Sequence, residues 1–126
     1  MSMEVGIMLR GQYPFGANMA KMAQELVEQA CLADRLGYAS ITKGSHYSTP
    51  DNQALQQLPV LARLTGEVNR ARLNAGIIIL PLHKPLDIAE QIATLDILSD
   101  GRMIFGVGIG YREVEFNAFG TTQKDR

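Results

Sequence analysis

The chain has 126 residues, of which 46% are hydrophobic and 20% charged, and its formal net charge is −1. These values are typical of one soluble globular domain, and the balanced charge without a basic stripe argues against a nucleic-acid partner. No apolar run approaches the roughly 18 residues that span a bilayer, so no membrane association is expected. A single cysteine, Cys31, and the lack of an N-terminal signal pattern predict a cytoplasmic protein without disulfides.

The first third of the chain predicts two strands around one helix. Residues 4–9 form a short apolar run, and residues 10–17, with two glycines and a proline, read as a loop. Asn18 can cap a helix over residues 19–36, whose apolar residues recur at helical spacing. The β-branched segment 39–43 predicts the second strand.

The middle of the chain is harder to interpret. Residues 44–57 form the longest irregular stretch, and long loops in compact domains are usually functional or disordered. A helix is expected from about Pro59, since proline suits the first helical position, with Leu61, Leu64 and Val68 as its contacts.

The last part contains a strand–helix–strand unit. Residues 73–80 predict a third strand, and its uninterrupted apolar run 77–80 indicates burial on both faces, as in parallel sheets. A helix over residues 85–98 and a strand over 103–109 follow, and residues 112–119 can open a fourth helix. This alternation predicts a parallel α/β fold.

Three glycines alternate along the fourth strand. Gly106, Gly108 and Gly110 are expected to point to one face, where glycine allows close approach by a ligand or by another backbone. Tight packing of a helix against the strand explains the pattern equally well. No third glycine opens the following segment, residues 111–113, so a dinucleotide-binding fingerprint is not present.

The two histidines each follow a predicted strand. His46 comes after the second strand, at the edge where α/β enzymes place their sites, and can exchange protons near neutral pH. From position alone, a solvated loop histidine is the simpler interpretation. His83 follows the third strand and can bind an anion or simply lie on a surface loop. The two are not at metal-ligand spacing, so no metal site is predicted.

Several segments together match one known pattern. They are a buried strand ending in Leu80-Pro81, a Ser99-x-Gly101-Arg102 turn, the GVGIG run at 106–110, the pair Glu115-Phe116, and LADRLGYASITKGSHY at 32–47. In this combination the chain resembles the luciferase-like monooxygenase family over nearly its whole length.

The resemblance implies a (β/α)8 barrel that binds FMN or the deazaflavin coenzyme F420 and oxidises or reduces a small organic substrate. It implies that His46 faces the cofactor ring as the catalytic residue, by hydrogen bonding or proton exchange. Gly76-Ile77 matches the position of a non-prolyl cis peptide that backs the ring. Gly106 and Gly108 would help to shape the cofactor pocket.

Two positions depart from the family pattern and leave the choice between flavin and deazaflavin open. Ile109 stands where luciferases have an arginine that helps to hold the flavin phosphate, and Ser45 stands where they have an acidic residue. The length also departs, since a barrel of this class needs about 250 residues. Residues 1–126 are therefore expected to be the N-terminal half of a barrel, truncated at the start of the fourth helix and incomplete as an enzyme.

Two other functions remain open from the sequence. One is a non-catalytic half-barrel that serves in assembly, and the other is a small flavodoxin-like nucleotide-binding domain. Four parallel strands leave two edges, and a half-barrel leaves an apolar inner face, so we expect the chain to form a homo-oligomer.

Overall fold

The structure is a computed structural model that describes residues 3–126. Its first part contains β1 (Gly6–Leu9), β2 (Gln12–Pro14), α1 (Met19–Arg35), β3 (Ser40–Lys43), β4 (Asn52–Ala54) and α2 (Gln57–Thr65). Its second part contains β5 (Arg72–Ile79), α3 (Pro85–Leu98), β6 (Met103–Gly108) and α4 (Glu113–Ala118), with 3-10 turns at Leu80–Leu82 and Gln123–Asp125. The predicted alternation of strands and helices is confirmed.

The main sheet is parallel and has the strand order β1-β3-β5-β6. Each successive parallel strand is added on the same side of the sheet, for example Ile41 beside Leu73 and Leu73 beside Met103. A doubly wound fold reverses direction at a switch point, and a barrel wall does not. The strand order is therefore that of half a (β/α)8 barrel, and the flavodoxin-like alternative does not have this topology.

The hydrophobic core lies on one side of this sheet, which we call the outer face. It joins Ile41, Leu73 and Ala75 to apolar residues of α1, α2 and α3, such as Leu26 and Leu61. The opposite side, which we call the inner face, carries Thr42 and Asn74, whose side chains are hydrogen-bonded at 3.0 Å. The three helices thus act as the outer layer of a barrel wall.

Two polar side chains determine where α1 begins and how its end is held. Asn18 caps the helix as predicted, because its side chain accepts the Lys21 N–H at 3.1 Å. Asp34 accepts the N–H groups of Asn69, Arg70 and Ala71 at 3.0, 3.1 and 2.7 Å. Burial alone would raise the pKa of Asp34, but these three donors and the Arg70 charge lower it below its ordinary value. Asp34 therefore ties α1 to the start of β5.

The prediction of simple loops at residues 10–17 and 44–57 is wrong. β2 and β4 lie in these segments and pair antiparallel, with Gln12 opposite Ala54 and Pro14 opposite Asn52. Neither segment has the alternation of a strand, and the two are separated by about 40 residues, so only tertiary pairing reveals them. The second helix also differs, since α2 runs from Gln57 to Thr65, and Val68 is buried beyond its end.

The prediction that the third strand is buried on both faces is also wrong. Leu73 and Ala75 on the outer face of β5 are fully buried, whereas Ile77 is 45% exposed. The side chain of Ile77 lies on the inner face, where a Cβ on Gly108 would meet its Cδ1 atom. The apolar run therefore indicates a strand with two apolar faces, of which α1, α2 and α3 cover only the outer one.

Candidate active site

His46 lies in the loop after β3, at the carboxyl-terminal edge of the parallel strands. The cavity at this edge is lined, among other residues, by Arg10, Lys43, Ser45, His46, Gly76 and Ile77. A second cavity continues from His46 and Ile77 to Ile79 and Ile109 on the inner face. The structure thus places His46 and the Gly76–Ile77 pair beside one cavity.

A buried carboxylate orients the His46 ring. The Nδ1 atom of His46 lies 3.1 Å from Oε1 of Glu115, and the same oxygen accepts the Tyr47 N–H at 3.0 Å. The Arg112 guanidinium is 3.5 Å from this oxygen. The side chain of Glu115 is 1% exposed and that of His46 is 34% exposed. The carboxylate is therefore enclosed, while the imidazole remains open to the cavity.

Glu115 is the side chain of this candidate site that sequence reasoning missed. It belongs to the Glu115-Phe116 pair that supports the family resemblance, but 69 residues separate it from His46. No spacing rule links residues at that distance. The only available signal is that α4 directly follows a strand of the same sheet, which places its first turn at the carboxyl-terminal edge.

The peptide bond between Gly76 and Ile77 is cis, as the family resemblance led us to expect. The carbonyl of Ile77 accepts the Gln57 side-chain amide at 3.0 Å. A Cβ on Gly76 would lie 2.7 Å from the methyl group of Thr42, so this position has no room for a side chain. The backbone here is held against the neighbouring strand and beside the cavity.

The glycines of β6 are packed closely against β5. A Cβ on Gly106 would lie 2.8 Å from the Ala75 carbonyl oxygen, and one on Gly108 would meet the Ile77 side chain. Close approach by protein atoms therefore accounts for both glycines. Gly110 does not share their strand face as predicted, because it lies beyond the end of β6 with a φ of +75°.

Lys43 is a second residue that the sequence did not single out. It is 1% exposed, and its Nζ donates to the Leu55 carbonyl at 2.9 Å and to the Gly44 carbonyl. Burial lowers the pKa of its ammonium group. Gly11 passes so close that a Cβ there would lie 2.7 Å from Nζ. Lys43 thus fastens the end of β3 to the segment that leads into α2 and forms part of the cavity wall.

His83 does not lie on a free surface loop. Its ring centroid is 6.4 Å from that of Tyr47 and 6.3 Å from that of Phe119, and the latter two rings meet edge to face at 4.7 Å. Burial lowers the pKa of His83, and nearby Asp87 opposes part of this change. The two histidines therefore have different surroundings, since His83 packs in an aromatic cluster and His46 borders the cavity.

The described residues contain neither a membrane-spanning helix nor a cluster of metal-ligating side chains. Between residues 3 and 126, no helix has both the length and the apolar character needed to cross a membrane. The same range contains no group of three or more histidine, cysteine or acidic side chains placed to hold a metal ion.

The parallel strand order and the outer layer of helices define a barrel-type α/β protein, and His46 lies at the carboxyl-terminal edge, where such folds usually place their sites. The sequence profile of the luciferase-like monooxygenase family matches residues 3–126, and the chain belongs to that family. The family predicted from the sequence is thereby confirmed.

Three comparisons illustrate the relationship. Limonene 1,2-monooxygenase of Rhodococcus erythropolis is 38% identical over 86 residues, which cover 68% of this chain and 21% of the relative. The oxygenating constituent of 3,6-diketocamphane monooxygenase from Pseudomonas putida, a type II Baeyer-Villiger monooxygenase solved in complex with FMN, has a TM-score of 0.86 at 21% identity, covering 95% of this chain and 33% of that one. An F420-dependent secondary alcohol dehydrogenase, solved with an F420–acetone adduct, has a TM-score of 0.77 at 20% identity, covering 95% of this chain and 36% of that one.

The two structural likenesses show the fold alone. The chain spans 32%, 21% and 27% of the lengths of three curated relatives that it matches. It therefore corresponds to a part of their fold.

Proposed function

We propose that this chain forms the ring-facing part of the active site of a flavin- or deazaflavin-dependent oxidoreductase that acts on a small organic substrate. One observation carries the proposal: His46 is held by a buried carboxylate and borders the same cavity as the Gly76–Ile77 backbone. A histidine that is fixed on one side and open on the other can exchange a proton with a bound molecule.

The described residues fit the flat ring of such a cofactor. Ile77 and Ile109 are 45% and 63% exposed along the inner face, and together with Ile79 they provide an apolar wall beside His46. Gly76 and Ile77 would back the ring, and Gly106 and Gly108 keep β6 close enough to β5 to complete the wall. The cofactor would supply the hydride-transfer or oxygen chemistry when bound.

The roles of this chain's own residues follow from their positions. His46 would hydrogen-bond to the ring or substrate and move a proton at its free ring nitrogen. The isoleucines would exclude water from the reacting face. Ile109 carries no charge that could hold a phosphate, and phosphate sites of such barrels usually follow strands 7 and 8. The chain alone is therefore expected to bind either cofactor weakly.

The relatives support both cofactors, because one solved neighbour binds FMN and another binds an F420 adduct. A titration of an assembled barrel that contains this chain with FMN and with F420, followed by cofactor fluorescence, compares the two cofactors directly. Ile77→Asp places a charge in the proposed ring wall and should abolish the binding. Ile97→Asp is the matched control, because Ile97 is 80% exposed on α3, and this variant should keep its cofactor binding.

Two results would reject this assignment of the site. One is equal loss of binding in the Ile77 and Ile97 variants. The other is failure of a barrel that contains this chain to bind either cofactor, which would favour the non-catalytic assembly function instead.

We also propose that residues 1–126 are a partial barrel domain that assembles as a homo-oligomer in the cytoplasm. The single cysteine fits a reducing compartment. Met8 on the edge strand β1 is 62% exposed, and Val107 on the opposite edge strand is 49% exposed. Unpaired strand edges with apolar side chains promote association. Light scattering at tens of micromolar should detect dimers or larger species, and a stable monomer would contradict this.

A further inference from the structure

The Glu115 carboxylate is surrounded by donors that come from two different segments. His46 Nδ1 and the Tyr47 N–H approach from the loop after β3, at 3.1 and 3.0 Å from Oε1. Arg112, immediately before α4, brings its guanidinium to 3.5 Å. Burying a carboxylate without partners costs several kcal/mol, so this arrangement is a built site and not an incidental contact.

The chemistry of the pair determines which ring nitrogen carries the hydrogen. An ionised carboxylate only accepts hydrogen bonds, so the nitrogen that faces it must be a donor. In a neutral imidazole the hydrogen is then on Nδ1, and Nε2 keeps its lone pair. Within residues 3–126, Nε2 of His46 makes no hydrogen bond, and the side chain is 34% exposed beside the cavity.

We propose that Glu115 is a positioning residue that holds His46 as the Nδ1–H tautomer and leaves Nε2 as the acceptor or base toward the cavity. The catalytic consequence rests on the proposed function of His46, whereas the tautomer itself does not. Tyr47 and Arg112 support the arrangement by holding the same carboxylate oxygen in place. Because Glu115 belongs to α4, the first turn of this helix is part of the site through the contact that Glu115 makes with His46.

The tautomer can be measured in the chain as it exists. Long-range ¹H–¹⁵N correlation spectra, recorded at a pH where imidazole is neutral, distinguish a protonated ring nitrogen from an unprotonated one. The chain contains only two histidines, so a His83→Gln variant assigns the signals. We expect His46 to have a protonated Nδ1 and an unprotonated Nε2.

Substitutions of Glu115 test whether this carboxylate is the cause of the Nδ1–H tautomer of His46. Glu115→Leu keeps the volume but removes the acceptor, so the Nδ1–H signature should be lost in favour of a tautomer mixture. Glu115→Gln retains an oxygen at this place and should restore the signature. Glu113→Leu, at an exposed glutamate in the first turn of the same helix, is the matched control and should leave the spectrum unchanged.

The outcomes separate this inference from the proposed function. A wild-type spectrum with hydrogen on Nε2, or an unchanged Nδ1–H signature in Glu115→Leu, would overturn the positioning role. The wild-type measurement decides the matter even where the Glu115→Leu variant fails to fold. A clear Nδ1–H signature combined with full turnover of a His46→Ala enzyme would instead reject the function and leave the positioning intact.

Discussion

The two faces of the parallel sheet differ in what covers them and in what they carry. On the outer face, Ile41, Leu73 and Ala75 are fully buried beneath α1, α2 and α3. On the inner face, Thr42 and Asn74 pair with each other, and Ile77 is 45% exposed. The same strands thus supply a core to one side and a candidate binding surface to the other.

This difference separates the sources of stability from the sources of function. Fully burying one leucine or isoleucine side chain contributes about 1.5–3 kcal/mol, so most of the folding free energy is expected from the outer face. The inner face and the carboxyl-terminal edge contain the exposed apolar wall, His46 and its carboxylate partner. Substitutions on the two faces should therefore have different effects.

The largest effect is expected on the free energy of unfolding, in a comparison of one residue from each face of β5. Leu73→Ala should lower the free energy of unfolding by about 2–5 kcal/mol, because it leaves a cavity in a fully buried region. Ile77→Ala should lower it by only about 1 kcal/mol, because half of that side chain is already exposed. Urea unfolding of both variants measures the difference, and equal losses would show that the inner face is covered in solution.

The next comparison concerns the two histidines. His46→Ala should lower turnover by about 10²-fold in an assembled barrel that contains this chain, since a proton-transfer group is lost. His83→Ala should leave turnover nearly unchanged, because its ring packs against Tyr47 and Phe119. Steady-state kinetics of both variants provide the test. Similar losses in the two would place the site elsewhere.

A smaller effect is expected where the outer layer is tied to the sheet. Asp34→Asn replaces one accepting oxygen with an amide that faces backbone N–H donors, so stability should fall by about 1–3 kcal/mol. Because the pKa of Asp34 is lowered in the fold, its contribution is present above the unfolded value near 3.8 and is lost as pH falls through the folded value. Urea unfolding of wild type and variant at pH 7 and pH 3 should show that the difference between their free energies of unfolding becomes smaller in acid.

The smallest effect is a pH trend at the aromatic cluster. The pKa of His83 is lowered by burial from its ordinary 6.5, so the unfolded chain binds more protons than the folded chain just below that pH. The contribution of neutral His83 to stability is therefore present above 6.5 and declines as pH falls through the folded value. His83→Gln should flatten the pH dependence of urea unfolding between pH 7.5 and 5. A steeper pH dependence of unfolding in the variant would contradict the conclusion that burial lowers the pKa of His83.

Local patterns in the sequence were sufficient for most of the fold. The period of apolar residues predicted α3 at residues 85–98, which is where it runs, and Asn18 was identified as the cap of α1. These features depend on neighbours three or four residues away, so they can be read without knowing the fold. His46 followed from its place after a strand and from the family resemblance, whereas the cis peptide at Gly76–Ile77 followed from the resemblance alone.

Only the tertiary structure decided the rest. The pairing of β2 with β4, the burial of Lys43 and the contact between His46 and Glu115 each join segments that are distant in the sequence. No local period encodes such contacts, because they exist only after the sheet has brought the carboxyl ends of its strands together. The sequence by itself determined the alternating elements and the position of one histidine at their edge. The arrangement of the strand ends in the folded sheet decided which carboxylate that histidine meets and which of its nitrogens remains free.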